Sequence, residues 1–316
     1  MPLQDWHSGS RLKLRHLRLL AAVGGAGGLG SAAASLGITQ PAASRLLAEI
    51  ETIVGRPLFD RLPRGLSPNA YGEVVIRRAK VVIAELGAAG DELEALRRGL
   101  GGTVAIGVVT APAVDTVAEV LTGLQRSHPA LQVTVEVETS LPLVRALLDA
   151  RLDFVLARIP GEVDARSLDY REIGPEELVF LVRDDHPLLA AGPPGFADLV
   201  DQSWVMQPPN TLLRKRVEAA FRQVGLSPPR RVLNTSSALL TLSVIARGGV
   251  IGAVTASVAA LFTRSGPFRT LTPIEQDEAI RVEAFGLIRH RDRPFSAAAA
   301  HVYGALKAAF SGDARQ

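Results

Sequence analysis

Apolar or small residues recur at Val75, Ala79, Val82, Leu86, Ala89, Leu93, Leu96 and Leu100, in alternating steps of four and three. A repeat averaging 3.5 residues keeps a single stripe of a helix apolar for almost four heptads. A stripe of that kind needs a partner. The spacing therefore predicts one long helix over residues 70–100, covered either by a second copy of the chain or by the chain's own body. Gly87 and Gly90 each weaken a helix by about 1 kcal/mol relative to alanine and mark a place to bend, and Gly101–Gly102 reads as a hinge. The seam leaves a head of about 70 residues before it and a larger body after it, within the range expected of separate domains.

The head is basic. From Arg11 to Lys80 eleven Lys and Arg stand against Glu49, Glu51, Asp60 and Glu73, a local balance of +7 in a chain whose net charge is +3. The remainder therefore sums to −4. A basic module on a mildly acidic body is the electrostatic footprint of nucleic-acid binding, although a solvated basic face gives the same count. Leu14, Leu17, Leu20 and Ala21 fall at helical spacing, with Arg15, His16 and Arg18 between them. Gly24–Gly28 predict a break, and an alanine-rich stretch a short helix over 29–36. Thr39 is placed to cap the next helix, and Pro41 suits its first turn, where a missing N–H costs little. That helix runs to about Val54 with Leu46, Leu47, Ile50 and Ile53 as its apolar face. Over 56–68 two short apolar pairs flank an Arg-Gly turn, the pattern of a small β-hairpin. Three short helices and a basic hairpin make a winged helix-turn-helix.

One motif competes with this reading. Gly25-Ala26-Gly27-Gly28-Leu29-Gly30 fits G-x-G-x-x-G, with Glu49 and Glu51 about 20 residues on, the pattern of a dinucleotide site. That chemistry needs a buried strand before the glycines and another ending at the acid. Here a helix-spaced, arginine-bearing segment comes first and the acids sit inside the Thr39–Val54 helix, so the glycines read as a turn.

After residue 102 the pattern alternates. Strands are expected at 103–109, 131–138 and 153–157, with helices near 113–127 and 141–150. A second set follows, with strands at 177–182, 203–206, 230–234 and 250–254 and helices near 211–224, 237–247 and 255–262. A strand at 280–288 and a helix near 295–310 close the chain. Alternation of this kind builds parallel βαβ units. The expected division is a DNA-binding domain over 12–70, a linker helix over 71–100 and an α/β domain over 101–312. The latter has two lobes, about 103–174 with 280–312 and about 175–279, and a cleft between them where strand ends and helix starts converge.

Several classes are excluded. Without cysteine there are no disulfides, thiol nucleophiles or cysteine-ligated metals, which fits a reducing compartment. Met1–Arg11 has no apolar core of a secretory signal, and no stretch approaches the roughly 20 apolar residues of a membrane span. A cytoplasmic protein is expected. G-x-S-x-G, H-E-x-x-H and the phosphate-binding loop are missing, and the histidines at 7, 16, 128, 186, 290 and 301 show no ligand spacing. Neither enzyme, cofactor nor metal is expected. Trp204 reads as core.

Residues 14–73 resemble the DNA-binding end of the LysR-type transcriptional regulators almost without gaps. The resemblance rests on Ala32-Ala33, Leu36, Thr39-Gln40-Pro41-Ala42, Ser44-Arg45, Ile50-Glu51, Gly55, Leu58-Phe59, Arg61, Arg64 and Gly72. It continues at lower specificity to about residue 303, through Leu152-Asp153, His186-Pro187-Leu188 and Gly248-Gly249-Val250-Ile251. The Ser44-Arg45 run, the Arg64-Gly65-Leu66 wing and Arg158 look most like the galactose-binding-protein-regulator subgroup. Gly28-Leu29 departs from the family's usual Ser-Phe, removing a good N-cap, and the wing over Ser67-Pro68-Asn69 is one residue longer. Val254-Thr255 replaces the common Leu-Pro.

The resemblance implies a winged helix-turn-helix with a linker helix, joined to a two-lobed α/β domain like the type 2 periplasmic binding proteins. The Thr39–Val54 helix then enters the major groove of promoter DNA, with Thr39, Gln40, Pro41, Ser44 and Arg45 at its front. Gln can pair with adenine and Arg with guanine, while Ser, Thr and the helix start hold phosphate. Arg61 and Arg64 reach the backbone or minor groove from the wing; Arg15 and Arg18 are either phosphate clamps or merely solvated. Arg45→Ala is expected to weaken specific binding far more than Arg98→Ala. The implied partners are double-stranded DNA, a small effector, a second copy in a dimer or tetramer, and RNA polymerase. Effector contacts fall on Thr110, Ser140, Arg158, the Gln207–Asn210 turn, Ser236 and Val254-Thr255. Thr110, Ser140 and Ser236 each lie between a strand and a helix, where a hydroxyl binds a ligand oxygen or simply caps. Arg158 needs an acidic partner: a ligand carboxylate, Asp153 or Glu138. The effector is expected to be an organic acid or a sugar-like metabolite. The alternative is a solute-binding protein or enzyme with the same two-lobed body and no DNA binding.

Overall fold

The computed structural model describes residues 12–26, 28–62, 65–98, 102–264, 266–275 and 280–312. The chain divides into two compact units, Met1–Leu100 with Leu148–Arg151 and Gly101–Leu147 with Leu152–Gln316. In the first, α1 (Leu14–Ala26), α2 (Leu29–Ser35) and α3 (Gln40–Val54) precede a hairpin of β1 (Phe59–Leu62) and β2 (Gly65–Pro68), followed by the long α4 (Ala70–Arg98). Helix α1 buries His16, Leu19, Leu20 and Val23, an i, i+3, i+4, i+7 set. Leu14 is instead exposed, so the stripe expected through Leu14 and Leu17 is rotated. The inward-facing residue is a histidine, which hides the phase from a count of apolar residues. His16 Nδ1 accepts the Lys13 N–H at 3.1 Å, and its Nε2 lies 3.3 Å from Arg15 Nε and 3.4 Å from Glu49 Oε2.

Helix α1 also runs through Gly24 and Gly25, where the sequence suggested a break. A Cβ on Gly24 would lie 2.3 Å from Ile76 Cγ2, so the glycine lets α1 pack closely on α4. Helix α3 starts as expected. Thr39 Oγ1 accepts the Ala42 N–H at 3.4 Å, Pro41 sits in the first turn, and Gly55 ends the helix with φ 74°. Ala43, Leu47 and Ile50 face the core with Leu58 and Phe59. Helix α2 has Gly28 at its N-cap and so no side-chain cap.

Gly72, in the first turn of α4, passes close under the hairpin: a Cβ there would come within 2.1 Å of the Leu58 carbonyl oxygen. That oxygen already accepts the Asn69 N–H at 3.0 Å, so it cannot retreat without losing a bond. Gly72→Ala is expected to cost about 1–3 kcal/mol by overpacking. The measurement is the urea midpoint at unchanged slope; a midpoint equal to the native one would contradict it.

The second unit is one nine-stranded mixed sheet with helices on it. In chain order it contains β3 (Thr103–Val108), α5 (Thr110–Pro112), α6 (Ala118–Ser127), β4 (Gln132–Val137), α7 (Ser140–Leu148), β5 (Phe154–Ala157) and β6 (Leu168–Arg183). Then come α8 (Pro187–Ala190), α9 (Phe196–Val200), β7 (Ser203–Met206), α10 (Leu212–Gln223), β8 (Val232–Asn234), α11 (Ala238–Ile245) and β9 (Val250–Thr255). The last are α12 (Ala256–Thr263), β10 (Phe268–Leu271), β11 (Ile280–His290) and α13 (Ala297–Gly312). Strands run in the order β4-β3-β5-β11-β6-β9-β7-β8, with β10 also on β6. The triplets β4-β3-β5 and β9-β7-β8 are parallel. Between them the long β6 and β11 pair antiparallel from Leu168↔His290 to Leu178↔Ile280, with irregularities between Val282 and Gly286. Two parallel half-sheets joined by two crossing strands make two lobes.

Each lobe has its own core. The first gathers Val104, Ile106, Val108, Phe154 and Leu287 with Val302 and Leu306 of α13. The second buries Phe180, Phe196, Trp204 and Phe221 edge to face, and Trp204 Nε1 donates to the Leu199 carbonyl at 2.9 Å. Trp204 is core, as its sequence context suggested.

Candidate functional site

Helix α3 has two unlike faces. Ala43, Leu47 and Ile50 are buried, while Thr39, Gln40, Pro41, Ser44 and Arg45 are exposed. Gln40 and Ser44 lie four residues apart, as do Pro41 and Arg45, so all form one polar front over the helix start. Arg15 does not join it as a free cation: its Nη2 lies 3.1 Å from Glu49 Oε2, which ties α1 to the flank of α3. Desolvation is the largest single influence on the Glu49 carboxyl and pushes it up, but the charges and hydrogen bonds of Arg15 and His16 together outweigh it and hold the group below the usual range. The arrangement leaves Arg45 as the long donor at the front.

The heptad seam of α4 behaves in two parts. Val75 and Ala79 pack on the core of the first unit, whereas Val82, Leu86 and Leu93 are 42, 54 and 69% exposed, and Ala89 is exposed between them. The helix continues through Gly87 and Gly90 without interruption. Leu96's side chain and Leu100 lie outside the described residues.

In the second unit the carboxyl ends of β3, β4, β5 and β7 surround a cavity of about 670 Å³, with Thr255 at the end of β9 in its wall. That volume is within the range of small-metabolite sites. Arg158 forms part of its floor and is 4% exposed. Its Nη2 donates to Glu176 Oε2 at 2.6 Å, its Nε to the Glu283 carbonyl at 2.5 Å, and its backbone N–H to Ser140 Oγ at 3.2 Å. The partners expected from sequence are used elsewhere. Asp153 Oδ2 accepts the Ala105 N–H at 2.8 Å; burial pushes its carboxyl up, against the pull of that N–H and of Arg293. Glu138 Oε2 accepts the Thr139 N–H at 2.9 Å.

Residues 14–73 match the bacterial regulatory helix-turn-helix protein family, lysR, and residues 97–311 match the LysR substrate binding domain. The chain belongs to the LysR family. Among curated relatives of this LysR-family protein, the HTH-type transcriptional regulator GbpR of Azospirillum brasilense is 43% identical over 306 residues, 96% of this chain and 89% of the relative. GbpR of Rhizobium radiobacter is 40% identical over 78% of the chain and 82% of the relative. Among solved structures, ArgP from Mycobacterium tuberculosis aligns with TM-score 0.68 at 17% identity, over 96% of this chain and 98% of that one. CbnR, a LysR family transcriptional regulator, aligns with TM-score 0.62 at 21% identity, over 94% and 99%. At those identities the structures speak for the fold.

The LysR-family chain is therefore a DNA-binding transcriptional regulator with an effector-binding domain, and the enzyme alternative falls away. Among the described residues no helix is long and apolar enough to cross a membrane. The structure brings Thr110, Ser140, Arg158, Gln207, Asn210 and Thr255 together around the cavity. It does not bring Ser236 or Val254 there. Ser236 is exposed, and the cap of α11 is its neighbour Ser237, whose Oγ accepts the Leu240 N–H at 3.2 Å. Val254 packs into the second lobe beside Ile245 and Val258; successive strand residues point to opposite faces, so Thr255 at the cavity puts Val254 behind it. Of the wing, Arg61 is placed in β1 by its backbone pairing with Leu66, and Arg64 lies outside the described residues.

The sequence reading of this LysR-family cleft missed Glu176, Glu162 and Lys215, all in its lining. A signal for Glu176 exists. It alternates in phase with Leu178, Phe180 and Val182, all buried, and an acid in step with a buried apolar run needs a specific partner.

Proposed function

We propose that two or four copies of this chain, joined through the exposed part of the α4 seam, grip an interrupted inverted repeat in promoter DNA in the cytoplasm. Each α3 lies in a major groove, the wing holds the adjacent backbone, and the complex acts on RNA polymerase. A small organic acid or sugar-like metabolite in the cleft shifts the balance between two arrangements of the assembly. The polar front of α3 carries the reading: five exposed side chains at a helix start, led by an unburied arginine, on a helix whose other face is fixed in a core. The exposed seam residues Val82, Leu86, Ala89 and Leu93 support the pairing, since an apolar heptad stripe is stable in water only when covered.

Gel-shift titrations of promoter DNA at several salt concentrations test it. Neutralising 6–10 phosphates makes affinity fall by roughly 10³-fold or more between about 50 and 200 mM salt. Binding that is weak and indifferent to salt would contradict the reading.

A further inference from the structure

We propose that the base of the second lobe, the end of its sheet opposite the cleft, is a second DNA-contacting surface that takes the phosphate backbone of the duplex beyond the operator. Residues 202–271 hold nine Lys and Arg and a single acid, Glu218. With 32 acids in 316 residues, a stretch of that length would ordinarily carry about seven. Its balance of +8 exceeds the +7 of the DNA-binding head, while residues 81–201 hold 20 acids against nine cations. The body is mildly acidic only as a sum.

The topology gathers most of these cations at one end. Strands β7, β8 and β9 are parallel and begin at the base, so the helices between and after them return to it. Arg222 lies in the last turn of α10, Arg247 follows α11 and Arg264 follows α12. Arg230 and Arg231 lead into β8, and Arg269 stands at the start of β10, which the pairing Phe268↔Arg183 sets at the same level. Across the base the strands run β8-β7-β9-β6-β10, four spacings of about 4.8 Å, or roughly 19 Å. All six arginines are exposed. Among the described residues only Arg222 has an ion-pair partner, Glu218 at 3.7 Å. The acids at this end are Asp184, Asp185 and Asp201, and Asp185 is taken by Arg183.

A helix C-terminus favours a nearby cation on its own account, which covers Arg222, Arg247 and Arg264. It does not cover Arg230, Arg231 and Arg269, which stand at strand starts, nor the scarcity of acids. A row of unpaired cations repels itself, and a polyanion spread over the same length relieves it. Roughly 19 Å spans five or six base pairs of duplex, whereas a small anion would need the charges to converge on one point. The head already holds DNA, so the flanks of that DNA meet the base at high effective concentration.

Anisotropy titrations of the full-length protein on a bare operator, and on the same operator with flanks of several helical turns, test this. The wild-type chain is expected to bind the flanked fragment more tightly and with a steeper salt dependence. Arg230→Ala with Arg231→Ala should flatten log K against log salt by about 1.8 on the flanked fragment, 0.9 for each phosphate released, and weaken binding about tenfold or more near 0.1 M salt. On the bare operator this variant should match the wild type. Arg230→Lys with Arg231→Lys should restore flanked binding, since a contact that positions without reading bases needs the charge. Arg45→Ala should weaken both fragments and leave their difference in place, which separates a failure of the head from a failure of the base. The paired alanines are expected to leave the melting temperature unchanged; if they do not, Arg264→Ala with Arg269→Ala gives the same reading from the other side. Wild-type binding by the variant on the flanked fragment would overturn the proposal. So would equal losses on both fragments, or an altered sedimentation with DNA binding kept, which would make the base a contact between copies.

Discussion

A chain carrying both Val82→Glu and Leu86→Glu is expected to sediment as a monomer and to lose about 10²–10⁴-fold in affinity for DNA bearing two half-sites. Both side chains are exposed on α4, so glutamate there buries no charge within the subunit. The cost falls on association, where each glutamate would be buried in a desolvated apolar seam. The second half-site then ceases to be an intramolecular contact, which is the source of the large factor. Stability of the monomer should move by no more than about 0.5 kcal/mol, as is usual for exposed positions. Sedimentation equilibrium and binding to one and two half-sites check the three effects together. A variant that stays dimeric would place the subunit contact elsewhere.

The second large effect belongs to Arg45. Arg45→Ala should reduce specific binding by about 10- to 150-fold, the 1–3 kcal/mol of one base-reading side chain, and relax preference at one base position. Arg126→Ala, exposed on α6 in the effector-binding unit, should change affinity little. Arg45 is three residues past Ala42, whose N–H the Thr39 cap holds, so the substitution removes a side chain at the front without disturbing the start of the helix. Titrations on operator and scrambled DNA distinguish readout from general attraction. Equal losses for the two variants would reject the placement of α3 in the groove.

Much of this architecture is legible in the sequence because local and tertiary demands agree. Thr39, Pro41 and Gly55 bracket α3 with the residue types that helix ends require, and β3, β5 and β7 are short apolar runs whose neighbours are helices. The failures are equally physical. The first half of β6, Leu168–Gly174, is a polar run that is a strand because β11 pairs with it, and β10 is four residues held on β6 alone. Neither carries a pattern of its own. His16 hides the phase of α1 because a buried imidazole with satisfied nitrogens counts as polar in a periodicity search. Gly24 reads as a breaker but serves close helix packing, a property of Ile76 across the interface.

At the cleft, strand ends are visible from sequence and partners are not. Thr110, Ser140 and Gln207 follow apolar runs and so fall where parallel strands stop. Arg158 is found the same way. That its charge is met by Glu176, 18 residues on, depends on β6 crossing beneath it, which no spacing announces. This one pairing means that the Arg158 guanidinium already holds a carboxylate of the chain itself, rather than standing free as its sequence context suggested.

The most direct test of the whole account is a footprint of the purified chain on the DNA upstream of its own coding sequence at low ionic strength. Two protected patches on one face of the duplex are expected, spaced by one helical turn of about 10 base pairs or a multiple of it, and lost together in the Val82→Glu, Leu86→Glu chain. Protein that leaves that DNA unprotected while running as a monomer would contradict it.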